Sequence, residues 1–232
     1  MKIKRAIILG AGFGKRMKPI TNKTPKPLVK INGITLLEIS IRFLIMLGVK
    51  KIIINSFYLH GQIVNFIKKN KFSSSIQVVI EKGKILNTGG GILNASKNFG
   101  NHPFFVLNPD TIWTDKYKKE FRNLEKIYMK HKNATMLLVS KDRSFDRSFK
   151  GDFNLSSKNK VLRQKKNKFI FTGAQIINRS IFNKKKIEPF SMNKIWDNLI
   201  KRKKLIGVIS KKKFFHINSY KVYNKINKKI TY

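Results

Sequence analysis

The chain has 232 residues, enough for one α/β domain with a sizeable core, and no cysteine, which excludes a disulfide framework, a thiol nucleophile and a thiolate metal site. Its 51 basic and 11 acidic residues give a net charge of +40, which would attract nucleic acid. The lysines are spread through every segment beside Asn and Ile, the pattern of a solvated surface and AT-rich coding, so no specific nucleic-acid partner is expected.

Ala6 to Leu9 is an apolar run that reads as a buried strand. With an apolar core of about four residues, against roughly 7–15 in a signal peptide, the opening is not read as an export signal. The stretch Leu9 to Leu28, LGAGFGKRMKPITNKTPKPL, follows. Gly10, Gly12 and Gly14 allow a tight turn close to a ligand, and Lys15, Arg16, Lys18, Lys23 and Lys26 place cations over it. That combination suits a polyphosphate. It is not a P-loop, because Arg16 follows Gly14-Lys15. Nor is it the dinucleotide fingerprint, because Lys15 stands where the third glycine belongs and Asn55-Ser56 where an acid belongs.

Thr35 to Leu47 reads as a helix stopped by Gly48, and Lys51 to Asn55 as a second strand. The apolar Ile41 to Val49 is too short to cross a bilayer, so no membrane partner is expected; the absence of cysteine fits the expected cytoplasmic location. Gly61 to Lys69 is a helix, Ile76 to Ile80 a strand, and Gly91 to Lys97 opens another helix. Phe104 to Leu107 is a strand, Lys116 to Lys132 a long helix capped by Asp115, and Thr135 to Val139 a strand. This alternation predicts a Rossmann-like, three-layer α/β fold with a mostly parallel sheet. Beyond Ser140 it stops: Asp142 to Gly151 reads as a mobile loop. Short strands are expected at Phe153–Leu155, Lys160–Arg163, Phe169–Ile177, Leu205–Ile209 and Phe214–Ile217, with helices at Asn193–Lys203 and Tyr220–Lys229. Without a repeat or a Pro/Ser-rich linker, residues 1–232 are read as one domain.

Three further stretches carry chemistry. Leu86-Asn87-Thr88-Gly89-Gly90-Gly91 leaves backbone groups open to a flat ligand, or is a flexible loop before a helix. Glu81, just before it, is either a base contact or a surface acid. Asp110 ends the strand Phe104–Leu107 at the edge where open α/β sheets bind ligands; a carboxylate there suits Mg²⁺, or caps the next helix.

G-x-G-x-R-M-x-P-x-T followed by Pro25-Lys26-Pro27-Leu28 resembles the signature of the sugar-phosphate nucleotidyltransferases, the NDP-sugar pyrophosphorylases. Thr88-Gly89-Gly90-Gly91, Asn108 to Trp113 and Gly151-Asp152-Phe153 resemble one branch, the N-acetylmuramate-1-phosphate uridylyltransferases. The resemblance implies a nucleoside triphosphate and a sugar-1-phosphate as partners and Mg²⁺ as cofactor. It implies nucleotide contacts from Gly10, Ala11, Gly12, Gly14, Lys15, Arg16, Lys26, Glu81, Thr88, Gly89 and Asn108. Catalytic roles fall to Arg16, Lys26 and Asp110. Gly151, Thr172, Gly173 and Trp196 are expected at the sugar, with Trp113 and Trp196 either stacking on it or filling core. Residues 1–140 would serve the nucleotide and 141–232 the sugar. Pro109 departs from the family's Gly or Ser before the aspartate and removes one N–H. His216 stands where the wider family has a second metal-binding Asp; it is a candidate beside the metal, a hydrogen-bond donor rather than a ligand, or a histidine ending a strand. A guanylyltransferase acting on mannose-1-phosphate and a non-catalytic sensor share these motifs. A monomer is expected.

Overall fold

The computed structural model describes residues 2–183 and 185–228. In chain order the elements are β1 (Arg5–Leu9), β2 (Lys30–Ile31), β3 (Ile34–Thr35), α1 (Leu36–Met46), β4 (Lys51–Ser56), α2 (His60–Lys69) and β5 (Ser75–Ile80). Then come α3 (Asn87–Ala95), β6 (Phe104–Leu107), α4 (Lys118–His131), β7 (Ala134–Ser140), β8 (Asn154–Leu155) and β9 (Val161–Leu162). The last are β10 (Phe169–Ile177), α5 (Met192–Lys201), β11 (Leu205–Ser210) and α6 (Tyr220–Asn227).

Seven strands form one sheet in the order β11-β7-β10-β6-β1-β4-β5. Its pairs are parallel except those of β10, which runs antiparallel to both β6 and β7. Side chains alternate along each strand, so both faces of the sheet are apolar. Ala6, Ile8, Ile52, Ile54, Phe105 and Leu107 meet α1, α2 and α4. Ile7, Ile53, Phe104 and Val106 meet α3 and α5. Each Ile, Leu, Val or Phe among them, fully buried, stabilises by about 1.5–3 kcal/mol. The mostly parallel sheet covered on both faces, expected from the sequence, is therefore present.

The sheet also locates a crevice. From β1 the chain moves outward to β4 and β5 and later returns to add β6 on the other side of β1. The strand order reverses between β1 and β6, and the loops after their carboxyl ends splay apart there. Those loops begin at Gly10 and Asn108.

Several local expectations need correction. β2 and β3 form an unforeseen hairpin whose turn, Asn32-Gly33, has φ of 47° and 84°. An Asn-Gly pair is the usual signal for such a turn. α3 starts at Asn87, so the glycine triplet lies inside its first turns. Asp115 belongs to a short 3₁₀ turn and makes no capping hydrogen bond. Phe214–Ile217 is not a strand; it makes two isolated bridges, Phe214 to Ser144 and His216 to Thr111. The first bridge ties down the expected mobile loop, with Phe145 N–H donating to Phe214 O at 2.9 Å and Phe214 N–H to Arg143 O at 2.9 Å. The last helix ends at Asn227, and Lys229 lies outside the described residues.

β10 carries a register shift between Phe171 and Gln175. Gly173 sits within it at φ 89°, its carbonyl accepting the Asn108 N–H at 2.8 Å. A Cβ at Gly173 would lie 2.8 Å from Asn108 Cβ. Gly173→Ala is therefore expected to lower stability by about 1–3 kcal/mol, from left-handed strain and the clash together. Urea unfolding checks this; an unchanged midpoint would mean that the bulge relaxes freely.

Candidate active site

A cavity of about 340 Å³ opens at the crevice between β1 and β6. Its floor is the glycine loop, and its far wall is Asn108-Pro109-Asp110. Gly10, Ala11, Gly12, Gly14, Lys15, Arg16, Lys26, Thr88, Asn108 and Asp110, separated by up to 100 residues of sequence, all line it.

The loop holds its shape through buried anchors. Gly10 N–H donates to Asn55, to its backbone and side-chain oxygens at 3.0 Å each. Gly14 O accepts from Met17 N–H at 2.7 Å and from the Thr21 hydroxyl at 2.9 Å. Met17 is fully buried with Val29, Ile31, Leu36, Ile217 and two residues of α6. Because Met17 points inward, Lys15 and Arg16 on the same short turn point out and are exposed. Among the described residues Arg16 has no ion-pair partner.

Pro25 and Pro27 are buried and fix φ on both sides of Lys26. The Lys26 ammonium reaches across the cavity to Asp110, 2.6 Å from Oδ2, and hydrogen-bonds it. The other carboxylate oxygen, Oδ1, lies 3.5 Å from His216 Nδ1. It is buried without a hydrogen-bond partner among the described residues. Burial alone would raise the Asp110 carboxyl, but His216 and the Lys26 ammonium, the latter also through its hydrogen bond, hold it below the ordinary carboxylate value.

His216 packs against Phe214, rings stacked 5.6 Å apart, and edge-on to Phe149. Its Nδ1 is 3.2 Å from the Thr111 hydroxyl. That hydroxyl donates its single proton to Thr172 O at 2.7 Å. The hydroxyl can therefore only accept from His216, and Nδ1 carries the proton. The nitrogen facing Asp110 is thus a donor, which argues against His216 as a ligand through that atom. Burial pushes the imidazole below its ordinary value; Asp110 opposes this, and Lys26 and Arg16 reinforce it.

Several expected contacts are placed elsewhere. Glu81 is buried, with Oε1 accepting from Asn55 Nδ2 and Oε2 from Leu86 N–H, each at 2.7 Å. It braces Asn55, and so Gly10, rather than facing the cavity. The glycine triplet is packed by protein: Gly89 and Gly90 both donate to Phe190 O. A Cβ on Gly89 would fall 2.3 Å from the Phe190 ring, and one on Gly90 2.1 Å from Glu188 O. The triplet admits residues 188–190, and its amides are not open to a flat ligand. Only Asn87 and Thr88 of this stretch reach the cavity, and Thr88 Oγ1 accepts from Met192 N–H.

Both tryptophans are core. Trp196 donates to Gln175 Oε1 at 3.0 Å and packs edge-on against Phe153 and Phe171. Trp113 lies among Phe43, Tyr117 and Phe121. The Thr172 hydroxyl is bonded to Leu137 O. Gly151, at φ 87°, lies against Asn167 and outside the cavity lining. Asn55, which in the sequence only marks the missing acid of a dinucleotide fingerprint, and Asn218 also line the cavity. Asn218 donates to Asp146 Oδ2 at 2.7 Å, and its carbonyl oxygen is buried without a partner among the described residues. Its sequence signal was only its nearness to His216.

A family model described as Nucleotidyl transferase matches residues 5–147. The chain is 26% identical over 221 residues to N-acetylmuramate alpha-1-phosphate uridylyltransferase of Caulobacter vibrioides, covering 92% of this chain and 91% of that protein. It is 31% identical over 184 residues to D-glycero-alpha-D-manno-heptose 1-phosphate guanylyltransferase of Campylobacter jejuni, covering 77% and 78%. The crystal structure of HddC from Yersinia pseudotuberculosis complexed with GMP-PN superposes with a TM-score of 0.79 at 25% identity, covering 99% of this chain and 100% of that one.

The depressed His216 value has a pH consequence. In a window below the ordinary value of 6.5, the unfolded chain binds a proton at this residue that the folded chain does not. Stability is then lost as pH falls through that window. Thermal melts of metal-free protein between about pH 7.5 and 5.5 should show a smaller decline for His216→Gln than for the parent. Parallel declines would show that His216 takes up its proton as easily folded as unfolded.

Proposed function

The chain belongs to the nucleotidyl transferase family, and from that premise we propose that it transfers a uridylyl group from UTP to N-acetylmuramate 1-phosphate, releasing pyrophosphate and a nucleotide-sugar. The observation that carries the reading is Asp110, held between Lys26 and His216 across the cavity from a glycine loop bearing Arg16. A sugar-phosphate oxygen attacks the α-phosphorus in line. The new P–O bond forms as the bond to the β-phosphate oxygen breaks, and pyrophosphate leaves with the electron pair. Alignment and charge neutralisation supply most of the catalysis in such transfers, and no protein nucleophile is needed.

Lys26, fixed between prolines, reduces repulsion between the two phosphates as they approach. Arg16, exposed at the mouth, steadies the leaving group. Thr88 and Asn108 border the nucleotide, and Gly173 sets the position of Asn108 from the sugar side. The residues fit Mg²⁺: Asp110 Oδ1 is a hard, buried oxygen with no donor. Among the described residues no cluster of three or more His, Cys, Asp or Glu could hold a metal, so phosphate oxygens and water would complete the shell around Asp110. Bound there, the ion would supply further neutralisation of phosphate charge. His216, its Nδ1 proton given to Thr111, would leave Asp110 Oδ1 free for the ion.

Uridine and N-acetylmuramate are supported by the uridylyltransferase relative and by the Asn108 to Trp113 and Gly151-Asp152-Phe153 stretches, which resemble that branch. The second reading is a guanylyltransferase acting on a mannose- or heptose-type phosphate, supported by one guanylyltransferase relative at higher identity over a shorter span and by another at 26% identity over 97% of this chain. Arg16, Lys26 and Asp110 together favour catalysis over a sensor. Pyrophosphate release from a panel of triphosphates and sugar-1-phosphates tests the proposal. UTP with N-acetylmuramate 1-phosphate should exceed GTP with mannose 1-phosphate or heptose 1-phosphate by at least about tenfold in kcat/KM, within the range that pocket contacts supply. The reverse preference would establish the second reading.

A further inference from the structure

Arg16 borders a second cavity as well as the first. This one, about 490 Å³, lies between residues 145–148 and the start of α6, and Arg16 and Asn218 line both. Four cations face it: Arg16, Arg147, Lys221 and Lys225. Among the described residues none of the four has an ion-pair partner. The one acid in the wall, Asp146, has both oxygens taken, Oδ1 by the Ser148 N–H and hydroxyl and Oδ2 by Asn218 Nδ2.

All four cations are exposed, and one of them is restrained. Arg147 sits on the segment tied to Phe214, and its Nη1 donates to Asp142 O at 2.7 Å, which restrains the guanidinium. Asp146 does not pair with Arg147; it anchors Asn218 in the wall between the cavities. Lys221 and Lys225, one turn apart on α6, add charge from the other side. Four like charges around one cavity repel one another, and a small polyanion would relieve that repulsion.

We propose that this second cavity receives inorganic pyrophosphate after it leaves the first, with Arg16 contacting it in both. The proposal rests on the functional reading above, which supplies the pyrophosphate. A diphosphate suits the site because its charge can be shared among several cations at once and it needs no apolar pocket. Handing the product sideways along cations would clear the first cavity for the next triphosphate.

The test is calorimetric titration of inorganic pyrophosphate into the full chain at fixed ionic strength, together with inhibition of turnover by added pyrophosphate. The variants are Lys221→Glu/Lys225→Glu and, separately, Arg147→Glu. Lys126→Glu/Lys130→Glu on α4, which lines neither cavity, makes the same change in net charge as the first. Each pocket variant should raise the pyrophosphate Kd and inhibition constant by about tenfold, while the α4 pair moves them by less than about twofold. Unchanged Kd in folded pocket variants, or an equal loss in the α4 pair, would overturn the proposal. If no substrate pair turns over yet the pocket variants still lose pyrophosphate, the functional reading fails and the anion site stands. Normal turnover with pyrophosphate binding indifferent to the pocket variants defeats the site alone.

Discussion

The ion pair between Lys26 and Asp110 is the constraint around which the rest of the molecule is arranged. It joins residues 84 apart in sequence, one following the glycine loop and one following β6. A half-buried carboxylate with one oxygen wholly shielded from solvent is stabilised by a compensating cation. The ammonium can reach it only because two buried prolines fix the intervening turn and β1 and β6 are adjacent in the sheet. Sheet order, the loop after β1 and the charge state of Asp110 are therefore one problem with one solution. Loss of Lys26 would leave Asp110 buried with only a neutral histidine beside it.

Two buried polar relays hold that pair in place. On the glycine-loop side, Glu81 fixes Asn55 and Leu86, and Asn55 fixes Gly10, so one acid sets both the glycine loop and the approach to α3. On the far side, Thr172 accepts from Thr111, Thr111 accepts from His216, and His216 faces Asp110. Satisfied buried networks of this kind rigidify the ends of strands that would otherwise splay. They also explain why a histidine fits where a second carboxylate would leave two anions side by side.

Much of this was legible in the sequence. The apolar runs of β1, β4 and β6 and the helical spacing of α1 state their own periodicity, and Gly10 to Gly14, Arg16, Lys26 and Asp110 lie at the cavity where their types suggest. What was not legible is direction. A glycine triplet reads the same whether its bare face meets a ligand or residues 188–190, and only the packing of Phe190 decides. Trp196 reads as a sugar platform or as core until Phe153, Phe171 and Gln175 close around it. Glu81 carries no mark of its buried partners, which come from β4 and from the chain before α3. Each of these three depends on a long-range neighbour, which local pattern does not encode; the Asn32-Gly33 turn, by contrast, is a local signal.

Under the proposed function Asp110, charged and held by Lys26, would carry the ion that neutralises phosphate charge. The most direct measurement is the rate of pyrophosphate release at saturating substrates and Mg²⁺ for Asp110→Asn, beside Lys213→Ala as a surface-charge control. Asp110→Asn should melt as a folded protein and lose at least about a hundredfold in turnover, the scale of one transition-state group, while Lys213→Ala stays near the parent. Turnover of Asp110→Asn within a few-fold of the parent would contradict the account.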